Sequence, residues 1–275
     1  MRKWFGLSVY MMLTVCACLF TLPIILVFCG SFMSQTELKS IYEKADAFVR
    51  LIPSPVSTES YYRLLFSNDA YLAAFWNSVL IAVYTVAGQC AVSLVVGFAL
   101  WQKSIPGSKL MKAVYAFVML LPFQVTMLPN YMQIRQIGLY NSPWALVLPG
   151  MFAPLGVFLM IQFMQGLSNE IIEASLLDTS SPVQVLVYIV GPNVLPAVWA
   201  LALITFAESW NMVEQPLIML KDAWRYPLSL RLNQQGEDLA ITFAGAVLFM
   251  TPVYFLYQMF KDSLLAGIER VGLKT

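Results

Sequence analysis

Histidine is absent from this sequence, and charged residues make up only 11% of its 275 positions. The first absence removes the commonest general base and the commonest metal ligand. The second puts the chain well below the charged share of a soluble domain, roughly 25%. Cysteine is scarce too. Cys16, Cys18, Cys29 and Cys90 all fall in apolar runs, where a free thiol behaves as a small hydrophobe, so neither a disulfide framework nor a metal site is read from them. No Gly-x-x-x-x-Gly-Lys-Ser/Thr phosphate loop occurs, and the chain is not expected to hydrolyse ATP itself. No carboxylate pair, nucleophile with its base, or metal cluster stands out, which argues against a membrane-embedded enzyme. The net charge of +1 makes nucleic acid an unexpected partner.

What is present is apolar length: 59% of the residues are hydrophobic. Six intervals run without a charge, 4–36, 70–102, 113–134, 136–169, 179–207 and 239–260. Each exceeds the ~20 residues a helix needs to cross a bilayer. Backbone polar groups in hydrocarbon must be satisfied within the structure, and a barrel would show alternation in spans of ~10 residues, so the spans are helices. The sequence thus predicts an all-α membrane protein with six transmembrane helices, forming a single domain over 1–275. The first interval is not read as a signal peptide. Arg2 and Lys3 precede an apolar core that runs on to Cys29, longer than the ~7–15 residues of a signal core.

Lys and Arg favour the cytoplasmic side, but with an inside N-terminus they divide eight against eight. Short, dense segments decide more. Lys103, Lys109 and Lys112 crowd a hairpin around the turn signal Pro106-Gly107, which favours both termini inside. The segments 31–69 and 215–238 then lie outside, with 166–192 in the cytoplasm.

That cytoplasmic segment breaks the charge rule, since no Lys or Arg occurs from Gln136 to Leu220. A loop lying on headgroups would carry basic residues, so a protein partner is the expected reason for their absence. Ser168 or Asn169 suits the cap of a first short helix, with Glu170 and Glu173 near its positive end. Ile171, Ile172, Ser175 and Leu176 gather on one side of it. Ser181-Pro182-Val183-Gln184 reads as a capping box with proline in the first helical position, and Gly191-Pro192 as the stop of that second helix. The fifth span is then expected from about Val194 to Asn211.

Glu173-Ala174-Ser175, Asp178, Ser180-Ser181, Ile189 and Pro192 follow the order and spacing of the EAA loop of ATP-binding cassette importer permeases. Further stretches resemble the carbohydrate, maltose-type branch of that family: LIPSPVS and YYRLLF ahead of span two, FWNSV at 75–79, SIPGSK in the basic hairpin, IGLYNSPWALVLP at 137–149, ESWNMVEQPL at 208–217, and the tail YQMFKDSLLAGIERVG at 257–272. Thr179 stands where the family usually has glycine, and Gly191 where it has leucine.

The resemblance implies a permease subunit in a bacterial cytoplasmic membrane that imports a sugar or oligosaccharide. Its partners would be a second related permease, a cytoplasmic ATP-binding cassette ATPase and an extracellular solute-binding protein. The chain itself would bind no cofactor, ATP and Mg residing on the ATPase. The loop would be a coupling helix seated in an ATPase cleft between spans four and five, formed by Ile172, Glu173, Ala174, Ser175, Leu176, Asp178, Thr179, Ser181 and Pro192. Glu173 would meet a basic residue there, with Ile172 and Leu176 in an apolar part of the cleft.

Within the spans, Glu208, Glu214 and the intervening Asn211 have two readings, as lining of a translocation path or as acids solvated at a helix end. Asn77, Gln89, Gln124 and Gln162 suit interhelical hydrogen bonds better than solute contacts. Most tryptophans suit the interfacial belt, and Trp199 and Phe206 are the best candidates for pore-facing aromatics. A permease of the same type for a non-sugar solute is the nearest alternative. An ion-driven secondary transporter is a weaker one, because its charged or broken-helix sites should sit near mid-membrane. A plain membrane anchor would not need the loop pattern.

Overall fold

A computed structural model describes residues 2–43, 52–102, 106–167, 181–233 and 238–272. Every regular element among them is helical. We number the helices α1 (Arg2–Gly30), α2 (Gln35–Glu43), α3 (Glu59–Phe66), α4 (Asp69–Trp101), α5 (Ser108–Met119), α6 (Phe123–Gln136), α7 (Trp144–Met151), α8 (Pro154–Met164), α9 (Pro182–Asn211), α10 (Glu214–Met219), α11 (Leu228–Asn233) and α12 (Leu239–Gly272). Five stretches are long and apolar enough to cross a membrane: Val9–Gly30, Asp69–Trp101, Trp144–Met164, Pro182–Asn211 and Leu239–Lys261. A sixth is added if α5 and α6 together form one span, although they meet at 107°.

That bend falls inside the charge-free interval 113–134, which the sequence reads as one plain span. Pro122 explains it. A proline disfavours helical torsions in the residue before it and cannot donate to the preceding turn, and Pro122 itself is extended, with ψ of 144°. The polar groups freed at such a break must find partners other than lipid. Leu120 and Leu121 donate to Phe117 and Val118 carbonyls, closing the end of α5 with three-residue turns.

The chain divides into two compact units. The first comprises 1–72 and 231–252. Its core is Met33, Leu38 and Ala240, with Ile41, Leu239 and Phe243 packed around them. Gln35 Oε1 accepts from the Ala240 N–H at 3.1 Å, and Asp238 Oδ1 accepts from Ala240 and Ile241, capping α12. Tyr61 on α3 donates to Ser31 Oγ at 2.7 Å. Burial holds its phenol above the usual tyrosine range, and the bond to Ser31 opposes that.

The second unit comprises 73–230 and 253–275. Buried apolar clusters hold it. Phe98, Met160, Met164, Val194, Ala197 and Leu201 bring α4, α8 and α9 together. Ile81, Ile134, Ala145, Leu146, Met219 and Leu220 join α4, α6, α7 and α10. Lipid tails offer no hydrophobic gain for helix pairing, so small residues that let backbones approach must supply packing. Here a Cβ added to Gly97 would lie 2.7 Å from Met160 Cβ, and one on Gly156 would fall on Ser93 Oγ and 3.0 Å from Gln89 Nε2.

Two expectations for the fifth span are corrected. Gly191-Pro192 does not end a helix: 182–211 is one 30-residue helix, with a π-helical turn at Val185–Val190. The Gly191 N–H bonds Leu186 O, five residues back, and its φ is −52° rather than left-handed. This wider turn leads into Pro192 without breaking the rod, and it needs glycine, because a Cβ at 191 would sit 2.9 Å from Leu186 O. Ser181 does hold extended N-cap torsions ahead of Pro182, and its carbonyl accepts from Val185. The Ser181 side chain makes no capping bond to the first turn.

Candidate functional site

The second unit carries an open cavity of about 1050 Å³, just above the ~300–1,000 Å³ of small-molecule sites. It owes its existence to the break before α6. A straight third span would pack along its neighbours, whereas the turned α6 presents Phe123, Thr126, Asn130 and Gln133 to an open space faced by α4, α7, α8 and α9.

Polar groups from three further helices line it. From α4 come Thr85 and Gln89, and from α9 Thr205, Glu208, Ser209 and Asn211, with Glu214 and Gln215 of α10 following. Gln89 and Thr205 are each 2% exposed. Thr205 Oγ1 donates to Gln89 Oε1 at 2.9 Å, an interhelical bond of the kind expected for Gln89. Thr85 is equally buried, yet its hydroxyl has no hydrogen-bond partner. An unpaired buried hydroxyl costs roughly 1–3 kcal/mol. Asn211 Nδ2 donates back to Ala207 O at 2.8 Å.

Of the sequence candidates for a translocation path, Glu208 and Asn211 line this cavity and Trp199 and Phe206 do not. The reason is helical phase. At ~100° per residue Phe206 is turned well away from Thr205 and Glu208, and its ring stacks on buried Trp210 at 5.3 Å. Trp199 stacks on Phe260 at 4.9 Å. Trp210 is fully buried rather than interfacial. Thr85, Asn130, Gln133, Thr205 and Ser209 were not singled out, although polar residues recur at helical spacing in Thr85-Gln89-Ser93 and in Thr126-Asn130-Gln133.

The rim beside α10 is rigid. Asn141, with φ of 60°, accepts from the backbone N–H groups of Lys221 (2.9 Å) and Asp222 (3.1 Å) and donates to Asp222 Oδ2 at 2.9 Å. Its own N–H donates to Met219 O, and Arg225 donates to its carbonyl. Asn77 reaches the Trp224 carbonyl at 2.7 Å, and Ser78 Oγ accepts from Leu228 N–H at 2.7 Å. Residues 219–228 are therefore a clamped platform. Asn141→Gly keeps the positive φ and removes three side-chain bonds, at about 2 kcal/mol. Amide exchange at Lys221 and Asp222 should accelerate about 30-fold in that variant. Unchanged exchange would dismiss the clamp.

Among the coupling residues, Ile172, Glu173, Ala174, Ser175, Leu176, Asp178 and Thr179 lie outside the described residues. Ser181 and Pro192 lie within α9 and its N-cap. Among the described residues, no three His, Cys, Asp or Glu side chains group as a metal centre requires.

Long apolar helices beside a solute-sized cavity that carries hydroxyl, amide and carboxylate side chains define a polytopic helical membrane protein. The chain belongs to the family described as binding-protein-dependent transport system inner membrane component, whose model matches residues 91–270. It is 27% identical over 256 residues to the arabinooligosaccharides transport system permease protein AraQ of Halalkalibacterium halodurans, covering 92% of this chain and 90% of that one. Its fold is similar to a chain in the crystal structure of a bacterial ABC transporter involved in the import of the acidic polysaccharide alginate, with TM-score 0.82, 20% identity, and 94% and 96% of the two chains covered. A second likeness, with TM-score 0.67, 13% identity and 96% of both chains covered, is to a bacterial alginate ABC transporter in complex with an alginate pentasaccharide-bound periplasmic protein.

Proposed function

We propose that this chain is one membrane subunit of an ATP-driven, binding-protein-dependent importer of a sugar or oligosaccharide. The observation that carries the reading is the family match over 91–270, an interval that contains most of the cavity's lining and the acid-only segment. The named activity of the arabinooligosaccharide relative points the same way. A cavity with hydroxyl, amide and carboxylate groups beside Phe123 and Phe152 suits a sugar, which presents hydroxyls at its edge and C–H groups on its faces.

In this reading the chain crosses the membrane six times, with α5 and α6 as one broken span and both termini in the cytoplasm. Residues 166–192 form the cytoplasmic coupling loop. A second, related permease completes the path, and a loaded binding protein docks on 31–69 and 215–238, for which the Asn141 clamp supplies a fixed surface. ATP closes the ATPase dimer, the loop moves with it, and the helices pass from inward-open to outward-open. Physically this is a population shift set by differential binding to two states.

Purification of the tagged chain from its native host tests the reading. An ATPase with a phosphate loop and a second six-span permease should copurify, and hydrolysis should rise when the sugar-loaded binding protein is added. A chain that purifies alone and moves solute with an ion gradient would refute it.

A further inference from the structure

We propose that the cavity selects its solute by charge, admitting neutral and amino-bearing oligosaccharides and turning away uronic ones. The inference rests on the importer reading and adds to it a specificity not fixed by family membership. Glu208 and Glu214 both line the cavity, and no Lys or Arg among the described residues does. Neither carboxylate has an ion-pair partner among the described residues.

The arginines of the neighbouring turns are committed elsewhere. Arg135 lies 5.6 Å and 5.5 Å from the ring centres of Tyr131 and Tyr140, and Arg225 pairs with Asp222 at 3.5 Å. A second observation falls at the same place: Thr85, 2% exposed and with its hydroxyl unpartnered, is among the residues that line the cavity.

A carboxylate accepts hydrogen bonds from sugar hydroxyls and more strongly from an ammonium group. A uronate offers only another carboxylate on its charged edge, and like charges brought together in a partly desolvated site repel. Discrimination of this kind works by exclusion of the wrong solute as much as by attraction of the right one.

The complete purified importer is titrated in a calorimeter at low ionic strength with triglucosamine, maltotriose and trigalacturonate. Affinity should fall in that order, by roughly tenfold at each step for unit charges several ångströms apart in a partly wet site. Raised salt should compress the differences. Glu208→Gln together with Glu214→Gln should bring the three affinities within about twofold of one another, while Glu208→Asp, which keeps the charge, should preserve the order.

Trigalacturonate binding as well as maltotriose in the unaltered complex would overturn the proposal, as would an order unchanged in the double glutamine variant or no binding of any probe. The two levels separate cleanly. Equal binding of all three sugars to a complex that couples ATP hydrolysis to import removes the charge filter alone, whereas a chain without an ATPase partner removes the importer reading.

Discussion

A Gly156→Val chain should yield at least tenfold less monodisperse protein than the unaltered chain on extraction in mild detergent, followed by size-exclusion of a fluorescent fusion. The new Cβ falls on Ser93 Oγ, 3.0 Å from Gln89 Nε2 and 3.1 Å from Leu201 Cδ2. All three neighbours are buried, at 1%, 2% and 0% exposure, so α8 must withdraw from α4 and α9 together. Overpacking of this kind costs about 1–3 kcal/mol. Displacing Gln89 also strains its bond from Thr205, adding about 1–3 kcal/mol for a buried acceptor left without its donor. The sum exceeds the ~1.4 kcal/mol that makes a tenfold difference in an equilibrium constant.

A companion change isolates the cause. Ser93 Oγ has no hydrogen-bond partner, so Ser93→Ala removes the obstructing atom without breaking a bond. Gly156→Ala should be harmful alone and substantially rescued when Ser93→Ala is added. Equal yields for Gly156→Ala with and without Ser93→Ala would show that the close approach of α8 to α4 is not what requires glycine.

The legible part of this molecule was the part written in long runs. The charge-free intervals locate the five long apolar stretches and the bent pair, because the cost of a charge in hydrocarbon acts on every residue of a span. The cavity was written in sparser marks. Thr126, Asn130 and Gln133 repeat at helical spacing, yet within an apolar interval three polar residues read equally well as interhelical bonds. Only the break at Pro122 turns them onto an open space. Gly191-Pro192 shows the opposite failure. Two residues that ordinarily stop a helix are absorbed by a π turn, since the neighbours Val185, Val190 and Val194 are all buried and hold the rod in line. Asn141 could not be found from propensity, because its role depends on backbone groups about 80 residues away.

Glu173→Lys should abolish uptake and strip the ATPase from the purified complex. The residue lies in a stretch from Gln136 to Leu220 that contains no Lys or Arg, so the loop presents only acids to whatever it meets. Truncating one partner of a desolvated charge pair costs about 2–5 kcal/mol, and reversal adds repulsion. Association should therefore weaken by at least roughly 30-fold, the lower end of that range. Glu173→Gln should lie between, retaining shape and losing charge. Glu170→Lys, outside the Glu-Ala-Ser stretch, should do less harm. The described helix explains why uptake fails as well as assembly. From Pro182, directly after the acid-only segment, α9 runs as one rod of 30 residues, roughly 45 Å at 1.5 Å per residue, to Thr205, Glu208, Ser209 and Asn211 at the cavity. A push at its start would reach the cavity without an intervening hinge loop, with the π turn at Val185–Val190 and Pro196 inside the helix as places along it where the bonding pattern changes. A Glu173→Lys complex with normal ATPase content and normal transport would separate that rod from the ATPase and leave the acids of the loop without a coupling role.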